Sequence, residues 1–155
     1  MSQFVTKLAV GDDVRTVAEL LNEIDAFYGD EVIESFEERL ARVDSTLFGA
    51  HPMVYAILAR ADNGDVVGLA TISYLWPAAG STSSLYLKEL FVRPGHRGKG
   101  AGKALMQAVF DQADKSGCSR VEWTTDRSNE EAQRFYESLS VAPHDGKIFY
   151  RRTIS

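Results

Sequence analysis

The chain has 155 residues, 45% of them hydrophobic and 25% charged, with 17 Lys and Arg against 22 Asp and Glu for a formal net charge of −5. That size and mix describe a globular chain with a sizeable core, expected to form one domain over residues 1–155, and not a disordered or fibrous one. The acidic balance argues against non-specific nucleic-acid binding, the lack of an apolar run of about 18 residues argues against a membrane span, and the single cysteine with three scattered histidines leaves no internal disulfide and no metal cluster.

The opening Met1-Ser2-Gln3-Phe4 has no basic region before an apolar stretch, so no signal peptide is expected. A lone Cys118 suits a reducing cytoplasm and reads as packing, not as a nucleophile.

In chain order, Phe4 to Ala9 reads as a first strand. Gly11-Asp12-Asp13 caps a helix whose stripe is Val14, Val17, Leu20 or Leu21, Ile24 and Phe27, ending at Tyr28-Gly29-Asp30. Ser35 and Glu38 have the spacing of a capping box for a second helix carrying Phe36, Leu40, Val43 and Leu47. Strands follow at Met53 to Arg60 and Val66 to Trp76, joined by the hairpin signal Asp62-Asn63-Gly64-Asp65. After a loop from Pro77 to Ser84 comes a central strand, Leu85 to Val92. A third helix runs from about Gly100 to Lys115, with Leu105, Met106, Val109, Phe110 and Ala113 inward and Gly117 at its end. A fifth strand is expected at Ser119 to Thr125, then a helix capped by Asn129 with Ala132, Phe135, Tyr136 and Leu139. A last strand is expected at Ile148 to Thr153, with a further short one near Val141. This order implies an α/β chain, a mixed sheet with helices on both faces.

The chemistry concentrates where the central strand stops. Arg93-Pro94-Gly95 is followed by Arg97-Gly98-Lys99-Gly100-Ala101-Gly102-Lys103 and then by helix. A glycine-rich turn that opens a helix presents free N–H groups and a dipole to an anion, and Arg97, Lys99 and Lys103 add positive charge. A P-loop needs Gly, four residues and Gly-Lys-Ser/Thr, and both alignments fail at two positions. The dinucleotide fingerprint G-x-G-x-x-G also fails from either Gly98 or Gly100.

The pattern Arg/Gln-x-x-Gly-x-Gly/Ala is met by Arg97 to Gly102, preceded by Leu90-Phe91-Val92-Arg93-Pro94. With that strand before it, the segment resembles the pyrophosphate loop of the GNAT acetyltransferase superfamily. Asn129-x-x-Ala132-x-x-Phe135-Tyr136 resembles a second motif of that superfamily, and the element order is similar over about Phe4 to Tyr150. Within it, His51-Pro52, Val67-Gly68, Leu85-Tyr86-Leu87, Phe91-Val92, Arg97-Gly98 and Phe135-Tyr136 are spaced much as in the spermidine/spermine (diamine) acetyltransferase type. The resemblance implies a mostly antiparallel sheet of six to seven strands, splayed between the fourth and fifth. It also implies direct acetyl transfer from acetyl-CoA to an amine, and a homodimer joined through the C-terminal strands, here Ile148 to Ile154.

The same resemblance assigns roles. Residues Gly98, Lys99, Gly100, Ala101, Gly102 and Lys103, with Arg97, would take the pyrophosphate; Leu90, Phe91 and Val92 would pair with the pantetheine arm; Asn129 would contact the cofactor. Tyr136 would reprotonate the leaving thiolate. An alkylamine of pKa ~10.4 must lose a proton, about 4.6 kcal/mol uphill at pH 7, so a base helps. The diamine type places a glutamate where this chain has Lys88, followed by Glu89. Strand alternation puts Lys88 with Tyr86 and Leu90 on one face and Glu89 with Leu87 and Phe91 on the other, so Glu89 serves only if a bulge turns it inward. Glu122 is the other base candidate, and Glu89 tied to Arg97 or to a backbone amide is the structural alternative. Acceptor contacts are expected from Asp25, Phe27, Tyr28, Asp30, Glu31 and Glu34, with Lys88, Glu122 and Trp76 as further candidates, against a merely solvated acidic surface. Lys88 argues against a long polyamine and suits a carboxylate. Ser140 stands where the family often has Gly. The reading is a small-molecule amine N-acetyltransferase; a protein lysine or N-terminal acetyltransferase and a non-catalytic acyl-CoA-binding module stay open.

Overall fold

The structure is a computed structural model describing residues 3–154. The chain divides into two compact units, residues 1–123 and 124–155. In the first, the order is β1 (Val5–Leu8), α1 (Val14–Tyr28), α2 (Phe36–Phe48), β2 (Tyr55–Arg60), β3 (Val66–Leu75), β4 (Ser84–Val92), α3 (Ala101–Lys115) and β5 (Arg120–Trp123). One 3-10 turn, Gly11–Asp13, precedes α1 and another, Pro94–His96, precedes α3. The second unit contains α4 (Glu130–Ser138).

The five strands form one sheet in sequence order. The first four are antiparallel neighbours, and β5 lies parallel to β4. Val17, Ala18, Leu20 and Ile24 of α1 and Val43 of α2 are buried against Ala56, Leu58, Leu69 and Phe91 on one face of the sheet. On the other face α3 buries Leu105, Met106 and Val109. The local signals act as their chemistry requires. Ser35 Oγ accepts from the Glu38 N–H at 3.1 Å while Glu38 Oε2 accepts from the Ser35 N–H at 3.2 Å, closing the capping box of α2. Between β2 and β3, Asn63 Oδ1 accepts from the Asp65 N–H at 3.0 Å and Gly64 takes φ +90°.

Five strands form among the described residues, not six or seven. No strand forms at Ile148 to Thr153 or near Val141. The β-rich composition there finds no ladder partner, and Ile148, Phe149 and Tyr150 stand exposed. A strand exists only through pairing, so composition alone does not make one.

In the second unit Asn129 Oδ1 caps α4 by accepting from the Ala132 N–H at 3.0 Å. Past the helix end, Ser140 adopts φ +63°, the left-handed conformation that glycine takes without strain.

Gly68 explains its own identity. A Cβ there would lie 2.7 Å from the Phe91 carbonyl oxygen and 3.2 Å from Leu105 Cδ1, so β3, β4 and α3 meet too closely for any side chain. Gly68→Ala is expected to cost about 1–3 kcal/mol, read as a lower denaturation midpoint with an unchanged slope; an unaltered midpoint would mean this approach is loose.

Candidate functional site

The site is built on the second half of β4. Its pairing with β5 covers Ser84 to Leu87 only, where Leu87 faces Trp123. From Lys88 to Val92 no strand adjoins that side among the described residues, which leaves about 16 Å of free edge at ~3.3 Å per residue. The ladder with β3 fixes what the edge presents. Arg93 donates its N–H to Val67 at 2.8 Å. Bonded pairs alternate in an antiparallel ladder, so Leu90 and Val92 turn their N–H and C=O groups away from β3, toward the opening. The Val92 carbonyl accepts from Arg97 Nε at 2.8 Å, as that direction requires.

The register also shifts. Ile72 faces Leu87 and Thr71 faces Glu89, so Lys88 is an extra residue with no partner: a β-bulge. The expected alternation is therefore wrong at one point. Glu89 does not share a face with Leu87; it points with Thr71 and Phe91 toward α1. Tyr86 and Glu122 are register partners, and Ser84 Oγ donates to Glu122 Oε1 at 2.6 Å, which places both on that same face. The Glu89 N–H is held by Thr71 Oγ1 at 3.1 Å, and Thr71 is buried. Thr71 was not singled out from sequence; its only signal was a hydroxyl inside the apolar run Val66–Leu75. Burial pushes the half-buried Glu89 carboxyl above the usual range; Lys88 opposes this, while Asp25 and Asp30 reinforce it.

The end of α1 overhangs this point. Phe27 stands edge-on to Phe91 with centroids 6.0 Å apart and to Tyr28 at 5.1 Å. The Arg97 guanidinium lies 4.3 Å from the Phe27 centroid and 5.5 Å from that of Phe91. Phe27 and Tyr28 remain half exposed. Two acids expected at the cleft are committed elsewhere. Asp25 pairs with Arg39 at 2.6 Å, and Glu34 lies 3.7 Å from Arg39 and 3.9 Å from Arg42. Glu89 is not tied to Arg97, which has no ion pair among the described residues. Trp76 donates its indole N–H to Ser81 at 2.9 Å and closes its own loop.

Downstream, Arg93 holds the chain to α1 through a two-point contact with Glu23 (2.9 and 2.8 Å) and to the sheet through Val66 at 2.6 Å. The turn then uses Gly98 at φ +74° and Gly100 at φ +96°. Nothing lies within 4 Å of a Cβ built at either, so backbone conformation and not space calls for glycine there. The first bond of α3 runs from the Ala104 N–H to Gly100 at 3.0 Å, leaving the N–H groups of Ala101, Gly102 and Lys103 without intrahelical partners. Ala101 packs inward, while Lys99 and Lys103 are exposed and make no ion pair among the described residues. An anion at this turn would meet amides, a helix dipole and two spare ammonium groups. In the second unit, Phe135 and Tyr136 lie on α4 with ring centroids 5.4 Å apart. Burial raises the Cys118 thiol pKa, which fits packing. Among the described residues no cluster suits a metal and no helix is long and apolar enough to cross a membrane.

Comparison with known proteins agrees with this geometry. Residues 17–140 match the model of the Acetyltransferase (GNAT) family. The chain is 31% identical to the D-amino-acid N-acetyltransferase HPA3 of Saccharomyces cerevisiae over 97 residues, 63% of this chain and 59% of that one. It is 36% identical to the L-ornithine N5-acetyltransferase NATA1 of Arabidopsis thaliana over 76 residues, 49% of this chain and 33% of that one. It thus spans less than two thirds of the length of either relative. Among solved structures, an integron cassette protein from the mobile metagenome of V. cholerae superimposes with a TM-score of 0.86 at 26% identity, covering 99% of this chain and 94% of that one.

The raised Glu89 pKa has a sign that can be measured. The folded protein holds this proton more tightly than the unfolded chain, so the contribution to stability is full below the ordinary glutamate pKa and is lost as pH rises through the folded value. Glu89→Gln removes that loss. Its melting temperature is expected to exceed wild type at pH 8 and to match it near pH 4; a lower value at pH 8 would mean the carboxylate is favourably held.

Proposed function

Given that this chain belongs to the Acetyltransferase (GNAT) family, we propose that it is an N-acetyltransferase that moves the acetyl group of acetyl-CoA directly to the primary amine of a small molecule. The observation that carries the reading is the free edge of β4 from Lys88 to Val92, which runs from a half-buried carboxylate to a glycine turn with open amides. The Leu90 and Val92 backbone groups on that edge fit an extended amide-bearing arm as an added strand would. The turn, with Gly98 to Lys103, fits its diphosphate. The names of the relatives, a D-amino-acid and an ornithine acetyltransferase, support a small amine as acceptor.

In this reading Glu89 takes a proton from the acceptor ammonium. The freed nitrogen bonds to the thioester carbonyl carbon while a strand N–H at Leu90 steadies the developing oxyanion; the C–S bond then breaks, and the nitrogen releases its second proton to solvent as the thiolate is protonated. A carboxyl raised above its ordinary range suits a base working nearer neutrality. Glu122, tied to Ser84, is the reserve candidate. Phe27 and Tyr28 wall the acceptor side. Tyr136 as the acid that protonates the thiolate, and Asn129 as a cofactor contact, rest on the motif of α4. Asn129 already caps that helix through its side chain.

The finer parts of the reading rest on the resemblance. They are a single domain over residues 1–155, supported by a family match over 17–140 that extends from the first compact unit into the second; a homodimer joined through Ile148 to Ile154, whose Ile148, Phe149 and Tyr150 are exposed; and a cytoplasmic setting. Kinship to the spermidine/spermine type has the motif spacings in its favour and Lys88 against it.

Free-thiol release from acetyl-CoA over a panel of amino acids, diamines, aminoglycosides and a lysine peptide tests the proposal. Turnover is expected on small amines. Tyr136→Phe and Glu89→Gln are each expected to lower kcat/KM about 100-fold or more. Wild type should show an acidic limb above the ordinary carboxylate range, and Glu89→Gln should lose it. Equal rates in Tyr136→Phe would remove the tyrosine from the mechanism, and acetylation of the peptide alone would favour a protein-directed enzyme.

A further inference from the structure

Resting on that reading of the site, we propose that Lys88 determines acceptor specificity by binding a carboxylate, so that the substrate class is small molecules carrying both a primary amine and a carboxylate. Lys88 is the extra residue of the bulge. The ladder with β3 gives it no partner. Its side chain is exposed and makes no hydrogen bond or ion pair among the described residues. Nearby cations in the same unit are engaged: Arg39 holds Asp25, Arg93 holds Glu23, and Arg97 lies on Phe27 with its Nε on the Val92 carbonyl. Lys88 is therefore the spare positive charge next to the carboxylate that receives the amine.

The two residues are consecutive, with Cα atoms about 3.8 Å apart, and the Lys88 ammonium lies close enough for its charge to act on Glu89. They offer one positive and one negative group beside the free edge of β4. An amino acid matches that pair with opposite signs at both ends. A diamine matches it at one end and sets its second ammonium against Lys88 at the other. Asp30 acts on Glu89 electrostatically from the end of α1, which adds attraction for the amine and not for the acid. The carboxylate must therefore find Lys88.

The test uses the full chain with acetyl-CoA and matched acceptors differing only by the carboxylate: ornithine against putrescine, lysine against cadaverine, and alanine against ethylamine. Wild type is expected to favour the carboxylate-bearing member of each pair by about tenfold or more in kcat/KM, with the difference in KM. Lys88→Met is expected to bring the ratio near one, and Lys88→Glu to reverse it. Because each ratio is taken within one variant, a loss of folded protein cancels. A wild-type ratio at or below one, or the same ratio in Lys88→Met as in wild type, overturns the inference and leaves the acetyltransferase reading intact. No turnover on any acceptor, with acetyl-CoA still bound, overturns the acetyltransferase reading and this inference with it.

Discussion

Beyond Leu87, β4 has a neighbour on one side only among the described residues, and that half-paired strand governs the rest of the first unit. Backbone polar groups left without partners are costly when buried and invite foreign strands when exposed. The chain keeps such groups, those of Leu90 and Val92, within a five-residue open edge one strand in from the end of its sheet. β5 pairs over four residues and stops at Trp123, whose ring lies 6.3 Å from that of Phe110 on α3. The other elements limit the damage. Arg97 covers the Val92 carbonyl, Thr71 takes the Glu89 N–H, and Gly68 lets β3 and α3 close on the strand from the remaining directions. The opening is a local sacrifice of pairing held inside a well-packed sheet.

The charges divide by residue type. Arg39, Arg60 and Arg93 make the ion pairs that join helices, turns and strands, with Asp25, Asp13 and Glu23 as partners. The fork of a guanidinium suits such fixed two-point contacts. Lys88, Lys99 and Lys103 make none among the described residues, and they flank the free edge and the glycine turn. A protein of net charge −5 thus keeps mobile positive charge at the place where anionic groups would arrive.

What was legible in the sequence was local. The Ser35–Glu38 box, the Asn63-Gly64 turn, the Asn129 cap and the glycine turn each act within a few residues, and each forms where its spacing says. The bulge was not legible. Leu85 to Val92 fits a period of two with or without an extra residue, and the choice is made by register against β3, whose contacts lie far away in sequence. The same limit hid the fate of Asp25 and Glu34, which read as exposed acids until Arg39 of α2 is brought beside them. It also misled at Ile148 to Thr153, where strand-forming residues lack a strand to pair with. Motif chemistry survives translation from one dimension to three better than face assignment does.

The bulge bears on how this protein can change over generations. A residue inside a regular ladder contributes to two neighbours and a face, so altering it disturbs the sheet. Lys88 is outside that bookkeeping: it faces no partner and fills no part of the core. Substitutions there escape the usual penalty on fold stability. They still act beside Glu89, the base of the proposed mechanism. On the proposed reading, selection could then retune the acceptor through one codon while the scaffold stays as it is.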